Sequence, residues 1–498
     1  MNIISIFKNL IRNPHNIFFK NVSLRQTVAK NTFWLGISEV INGILKIVLF
    51  IYIARILGVE EYGKFSFAVS FVTIFIYIAD FGLSQIITRD FSANSDNDNK
   101  FNYFISLKII LNTISFICLF IGSFFITNSY GTQHILQLIG MYLVLANFIE
   151  IFTSFLRAKQ KMELETLIKI IQSIIIVFSG IITLKFYPTL LNLSIALSLS
   201  SLVSIIFSFI YFSKKIQHFK IAINMTIWKN IIIASFPLAL SGLFWTFYTQ
   251  IDTIIMGHLN LNSQVGWYNA SNKIIGILLI SSRLIIGSFY PVMCQYYQKS
   301  QEMMQKTWNY LCEVIISLSV PTLFGSILLS DKIINLIYGA NYQESIKIFQ
   351  ILIITTTISF ITIPLTQLLI VANKQKYYLY ATFWATVVNL ILNLILIPKY
   401  GMYGASYTSI ITILTVLIIN ILNVKRFINL QITNTKILFT LLIALISSLF
   451  MYLIISLLIS IKVNLFLIIP ISVLIYGIVY ITLRQKIFIF RRINDSSI

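Results

Sequence analysis

The chain has 498 residues, 57% of them hydrophobic and 11% charged, with 37 Lys+Arg against 16 Asp+Glu and a net charge of +21. A soluble domain carries about 25% charged residues, so a water-soluble globule is excluded. The cationic excess would point to nucleic acid in a soluble protein. In a membrane protein, basic residues gather in the connections on one side, where they meet anionic lipid, and nucleic acid is not expected as a partner.

Apolar runs of roughly 20 residues recur along the whole chain, the length an α-helix needs to cross about 30 Å of hydrocarbon. Unbroken runs such as Thr440–Ile461 lack the alternation of a barrel strand, so the expected fold is an all-α integral membrane protein with about fourteen transmembrane helices. Residues 1–30 come first, as a cytoplasmic basic segment. Within it Ile3, Phe7, Leu10 and Ile11 stand at near-helical spacing beside Lys8 and Arg12, which fits either a helix in the membrane interface or a basic tail. No short apolar region with a small-residue cleavage site precedes the first span, which is expected to be retained.

Spans follow at 31–56, 64–88, 101–127, 132–156, 164–186 and 189–213, making an N-lobe of 31–213. Residues 214–230 form a basic cytoplasmic linker. Spans at 231–257, 265–292, 307–329, 346–372, 376–397 and 402–423 make a C-lobe of 231–423, and 424–498 holds the last two, at 435–459 and 463–484, with a cytoplasmic tail. The odd-numbered connections hold only Arg55, Lys64, Lys185, Lys332, Lys347, Lys399 and Lys462. The even ones are crowded, for example Arg157, Lys159 and Lys161, or Lys214, Lys215, Lys220 and Lys229. Both termini are therefore expected in the cytoplasm.

The first hairpin reads I-L-G-V-E-E-Y-G-K-F (Ile56–Phe65), and the seventh-to-eighth reads M-G and then V-G-W-Y-N (Met256–Gly257, Val265–Asn269). Gly63 and Gly266 stand 203 residues apart (266 minus 63), which suggests two pseudo-symmetric, parallel six-helix repeats.

No connection exceeds about 20 residues, and metalloprotease, phosphate-loop and nucleophile-elbow motifs are missing, so no catalytic or metal residues are expected. Asp96-Asn97-Asp98 resembles the metal-holding D-x-D of glycosyltransferases but sits in a stretch of turn composition and reads as a solvated loop. Cys118, Cys294 and Cys312 lie inside apolar runs and read as packing residues.

Ionisable residues inside the spans carry more information. A charge at the centre of a membrane helix costs about 2.5–3.5 kcal/mol on insertion scales, so it normally faces a partner or water. Lys46, Asp80, Lys108, Asp252, Lys273 and Arg283 qualify. Lys108 fits a long side chain snorkelling to the interface, whereas Lys46 is too far from either end. Lys46, Lys273 and Arg283, with Asn42 and Asn269, are expected to line a cationic cavity suited to an amphipathic anion with a polar head and a greasy tail, such as a polyprenyl-pyrophosphate sugar, and Tyr248 and Trp245 either face the sugars or serve as packing. Asp252 and Lys273 are expected to form an ion pair. The 203-residue shift brings Asp80 onto Arg283, suggesting a gating pair, with local pairing of Asp80 to Arg89 or another helix as the simpler alternative.

Four segments, Ile56–Ala68, Ala79–Asp90, Gln250–Lys273 and Asn389–Ser406, give the chain a resemblance to the Wzx-type polysaccharide flippases of the multidrug/oligosaccharidyl-lipid/polysaccharide exporter superfamily. The resemblance implies a MATE-like bundle of fourteen helices in two lobes and a central cavity open alternately to either face. The implied substrate is an undecaprenyl-pyrophosphate oligosaccharide, with charged positions Lys46, Asp80, Asp252, Lys273 and Arg283 important for transport. It further implies the bacterial cytoplasmic membrane, membrane lipids, a polysaccharide polymerase and a chain-length regulator as partners, and no cofactor beyond a proton or sodium gradient. The rival readings are an ion-coupled multidrug exporter, which should carry more acidic cavity residues, and a membrane polymerase or ligase, which should carry a large external loop.

Overall fold

The computed structural model describes residues 24–93, 100–215, 220–432, 434–461 and 463–495. The segment Met1–Phe19 and Asp96-Asn97-Asp98 lie outside them. Every regular element among the described residues is helical: α1 (Leu24–Asp80), α2 (Leu83–Ala93), α3 (Lys100–Ile126), α4 (Tyr130–Phe148), α5 (Glu150–Ala158), α6 (Met162–Phe186), α7 (Leu190–Lys215), α8 (Met225–His258), α9 (Asn262–Lys299), α10 (Gln301–Tyr338), α11 (Glu344–Val371), α12 (Gln375–Phe427), α13 (Thr435–Ser460) and α14 (Leu465–Asp495), with one short 3₁₀ turn at Ala340–Tyr342.

Among the described residues, twelve helical stretches are long and apolar enough to cross a membrane, including Lys30–Ser92 with 63 residues and Gln375–Phe427 with 53. A helix rises about 1.5 Å per residue, so each of these two is long enough to cross about 30 Å of hydrocarbon twice. Both fold back at a glycine with positive φ: Gly58 at 76° and Gly401 at 55°. The return is visible in side chains. The rings of Phe50 and Phe65 lie 5.8 Å apart, and Asn389 reaches Thr412 at 3.3 Å, although 15 and 23 residues separate them. Counting both returns brings the twelve stretches to fourteen crossings, as the apolar runs predict.

The first return lies at Gly58 rather than at Gly63, which is already inside the next helix. The second span, expected to be continuous over 64–88, is broken between α1 and α2, where Phe81 and Gly82 take φ of 47° and 75°. Hydropathy cannot detect such a break, because both flanking segments are apolar. Gly82 also lies tight against α8: a Cβ there would stand 3.0 Å from Leu238 Cβ and 3.1 Å from the Ser235 carbonyl. Gly82→Ala is accordingly expected to destabilise the protein by about 1–3 kcal/mol through left-handed strain and crowding. A thermal melt in detergent checks this, and an unchanged midpoint would mean that the break relaxes freely.

The chain forms two compact units, Met1–His258 and Leu259–Ile498. The first is centred on an aromatic core at the ends of α2, α3, α5 and α7, where Phe91, Phe101, Phe104, Phe152, Phe155 and Phe212 interlock and Phe101 and Phe155 approach to 4.3 Å. The core of the second gathers Trp308, Leu311, Phe360, Leu368, Met451 and Tyr476 from α10, α11, α13 and α14. The left-handed turns recur in similar places: Gly58 and Asn260 follow the first and seventh spans, and Gln160 and Asn373 follow the fourth and tenth.

Candidate functional site

In the first unit, α1 presents Thr32, Gly36, Glu39, Gly43 and Lys46 at intervals of four and three residues, which places them on one helical face. Thr32, Gly36, Glu39 and Lys46 are exposed, and nothing lies within 4 Å of where a Cβ would stand on Gly36 or Gly43. Lys46 is 12 residues before the Gly58 turn and 16 after Lys30, so about 18 Å and 24 Å of helix separate it from the two ends. Its ammonium cannot reach either interface. Asn42 is half-buried, donates to Ser38 Oγ at 3.1 Å and leaves its Oδ1 without a hydrogen-bond partner among the described residues. Glu39 was not among the residues expected from the sequence.

On α8, Trp245 is 44% exposed and its ring lies 5.7 Å from that of Tyr248. Asp252 is buried, with Oδ1 accepting from the Thr253 amide at 2.8 Å.

The second unit repeats the pattern on α9. Asn269, Lys273, Gly276, Arg283 and Gly287 follow one another at helical intervals, Lys273 and Arg283 are exposed, and Gly276 and Gly287 have open space above them. Asn269 is half-buried and donates to the Val265 carbonyl at 3.0 Å. Asp252 and Lys273 fall in different units, as do Asp80 and Arg283.

One expectation changes in the first unit. Lys108 does not snorkel: its side chain is 0% exposed, and its ammonium donates to Asp80 Oδ1 at 3.0 Å and Asn147 Oδ1 at 2.8 Å. Its apolar neighbours along α3, Phe104, Ile105 and Leu107, are buried with it, and the broken second span brings the carboxylate within reach. Asp80 also accepts from Ser84 Oγ at 2.6 Å, so it is held locally by α3 and α2, while Arg89 pairs with Asp90 at 2.9 Å.

Further basic residues are neutralised near the helix ends. Arg157 and Lys169 bracket the fully buried Glu165 and also meet Glu150, and Lys30 pairs with Glu163 at 3.0 Å. Lys46 and Arg283 differ in being exposed in mid-span.

A neutral polar cluster lies inside the second unit. Asn389 and Asn393 occupy the outgoing half of α12, Thr408 and Thr412 the returning half, and all four are at most 4% exposed. Asn393 Nδ2 donates to Asn389 Oδ1 at 3.1 Å and Asn389 Nδ2 to Thr412 Oγ1 at 3.3 Å, while Asn393 Oδ1 and Thr408 Oγ1 find no partner among the described residues. Asn389 and Thr412 stand 12 and 11 residues from Gly401, about 17 Å into the membrane. Sequence reading missed this cluster because asparagines and threonines four apart in an apolar helix look like ordinary packing.

The polysaccharide biosynthesis protein family model matches residues 28–298, more than half of the chain, and the MatE model matches residues 237–395. A probable low-salt glycan biosynthesis flippase, Agl15, of Haloferax volcanii is 22% identical over 76% of this chain and 79% of its own length. The capsular polysaccharide biosynthesis protein CapF of Staphylococcus aureus is 24% identical over 76% of this chain and 95% of its own. Among solved structures, the lipid II flippase MurJ in an inward closed conformation superposes with a TM-score of 0.72 at 19% identity, covering 92% of this chain and 99% of that one. An inward-facing multidrug resistance MATE family transporter gives 0.62 at 14% identity over 78% and 95%. The fold is thus shared with both kinds of transporter, and the extent of the first family match shows that this chain belongs to the polysaccharide biosynthesis protein family.

Proposed function

We propose that the protein is a transporter, not an enzyme: a flippase that moves a polyprenyl-pyrophosphate-linked oligosaccharide, an O-antigen or capsule repeat unit, across the bacterial cytoplasmic membrane by alternating access. The observation that carries this reading is the exposed charged face on α1 and its counterpart on α9, both deep in membrane helices. Charge in that position needs water or an ionic ligand beside it. Lys46, Lys273 and Arg283 outnumber Glu39 on these faces, which suits a pyrophosphate, and Arg adds bidentate recognition of phosphate oxygens. Trp245, Tyr248, Asn42 and Asn269 offer ring faces and amides to the sugars, while the greasy chain stays in lipid. Relatives named as a glycan flippase and a capsular polysaccharide biosynthesis protein support the same substrate class. The cationic balance weighs against an exporter of cationic drugs. The translocated units would pass to a polysaccharide polymerase and chain-length regulator.

Deleting the gene should abolish surface polysaccharide and leave the lipid-linked precursor accumulated on the cytoplasmic leaflet, with recovery on complementation. Normal surface polysaccharide in the deletion strain would overturn the reading. Both termini are placed in the cytoplasm on the charge asymmetry, so a C-terminal fluorescent-protein fusion should be bright and an alkaline phosphatase fusion at the same point inactive.

The energy source we read from the Asn389, Asn393, Thr408 and Thr412 cluster is a sodium gradient. A buried acceptor without a partner costs about 1–3 kcal/mol, and a desolvated monovalent cation relieves it much as filter oxygens do in channels. Neutral amides and hydroxyls do not take up protons near neutral pH, which favours sodium over a proton. Sodium chloride should raise the melting midpoint of the purified protein above that in choline chloride, by mass action on the folded state. Asn393→Leu should remove the difference. Equal midpoints for the parent protein in both salts would exclude the site.

A further inference from the structure

At the opposite end of the second unit from its crowded basic connections, α12 turns back through Lys399, Tyr400 and Gly401. The turn is locked to the start of α9: Gln264 Oε1 accepts from the Met402 amide at 2.9 Å, and a Cβ on Gly401 would collide with that same oxygen. Because Oε1 is engaged there, the amide end of Gln264 is the group left to donate elsewhere.

Beside this lock opens a cavity of about 600 Å³, lined by Gln264, Pro398, Lys399, Tyr400, Tyr403 and Tyr407 among others. That volume falls in the ordinary range of ligand pockets, about 300–1,000 Å³. Tyr400 and Tyr407 are 58% and 47% exposed, so neither ring is used up in packing. Tyr403 donates its hydroxyl to Glu344 Oε2 at 3.4 Å. The cavity therefore combines flat ring faces with hydroxyl, amide and ammonium groups.

That combination matches a pyranose. Its axial C–H face covers an aromatic ring, and its equatorial hydroxyls need donors and acceptors around the edge. A belt of interfacial tyrosines would need neither a recess beside the turn nor a glycine turn clamped by a glutamine. We propose that this cavity is a saccharide-binding site that takes hexopyranose units of the transported glycan on the face where it emerges. The site holds the head group after translocation, before its release. The proposal rests on the flippase reading and adds to it a second sugar contact, remote from the mid-membrane charges.

The test uses the full-length protein in cells that make the polysaccharide and are fed a tritiated sugar. p-Benzoylphenylalanine introduced at position Tyr407 should, on illumination, give a tritiated glycan adduct on the protein. Tyr400→Ala combined with Lys399→Gln should reduce the adduct about tenfold at equal protein level, the size expected for losing a stacking partner and a hydrogen bond. Tyr400→Trp should retain it. Absence of a glycan adduct, or cross-linking to phospholipid alone, in cells whose polysaccharide export depends on this gene would overturn the saccharide site and leave the flippase reading in place. Export that persists without the gene would instead remove the flippase reading, and an adduct that survives Tyr400→Ala with Lys399→Gln undiminished would show that the cavity does not bind the sugar.

Discussion

Lys108→Met is expected to cost about 3–5 kcal/mol and to leave little folded protein in the membrane. The ammonium is wholly buried and is the ion-pair partner of Asp80 at 3.0 Å, besides holding Asn147. Removing it leaves a carboxylate facing an apolar surround with only Ser84 for support. Breaking a buried pair on one side is costly because the remaining charge is uncompensated, whereas replacing both partners by neutral groups of similar volume is often close to neutral. Asp80→Asn with Lys108→Met should therefore recover most of the stability lost in the single variant. Fluorescence-detected size-exclusion after a heating series reads this directly. A Lys108→Met protein as stable as the parent, or a double variant no better than the single, would show that the pair does not hold α1, α2 and α3 together. The same series separates local from cross-lobe pairing: with Asp80→Lys as the starting lesion, Lys108→Asp should restore stability and Arg283→Asp should not.

Much of the fold was legible because the bilayer restricts the choices. A run such as Thr440–Ile461 can only be a helix in lipid, and the spacing of basic connections orders the spans along the chain. The charged faces were half legible. Lys46 and Arg283 stood out by depth alone, but Glu39 did not, since hydropathy averages it with its neighbours. The face becomes visible only when Gly36 and Gly43 are seen with nothing above them. Lys108 illustrates the opposite failure. Depth in the span suggested a reach to the interface, and what decides its position is the break at Phe81 and Gly82, a backbone event with no composition signature. The Asn389 to Thr412 contact and the cavity at Tyr400 were hidden for a related reason: each is made by two halves of α12 or by α12 and α9, so its residues are far apart in the chain.

Export should fail when the exposed mid-membrane charges are removed, and without the loss of fold expected at Lys108. Lys46 and Arg283 are exposed, and no ion-pair partner for either is found among the described residues, so Lys46→Gln and Arg283→Gln break no buried pair. Each should instead lose a charge-assisted contact to the pyrophosphate, of about 1–3 kcal/mol, which corresponds to roughly 5- to 150-fold in affinity at limiting substrate. Combining Lys46→Gln, Lys273→Gln and Arg283→Gln should leave surface polysaccharide near the level of the deletion strain while immunoblots show matched protein in the membrane. Lys46→Arg should retain export, since the positive charge and donor capacity survive. Glu39→Gln provides the control of sign: it lies on the same helical face as Lys46 but carries the opposite charge, and its loss should leave the pyrophosphate contacts intact. Full export by the triple variant at matched protein level would mean that these faces do not carry the head group, and a drop in Glu39→Gln as deep as in Lys46→Gln would mean that the face acts through something other than its positive charge.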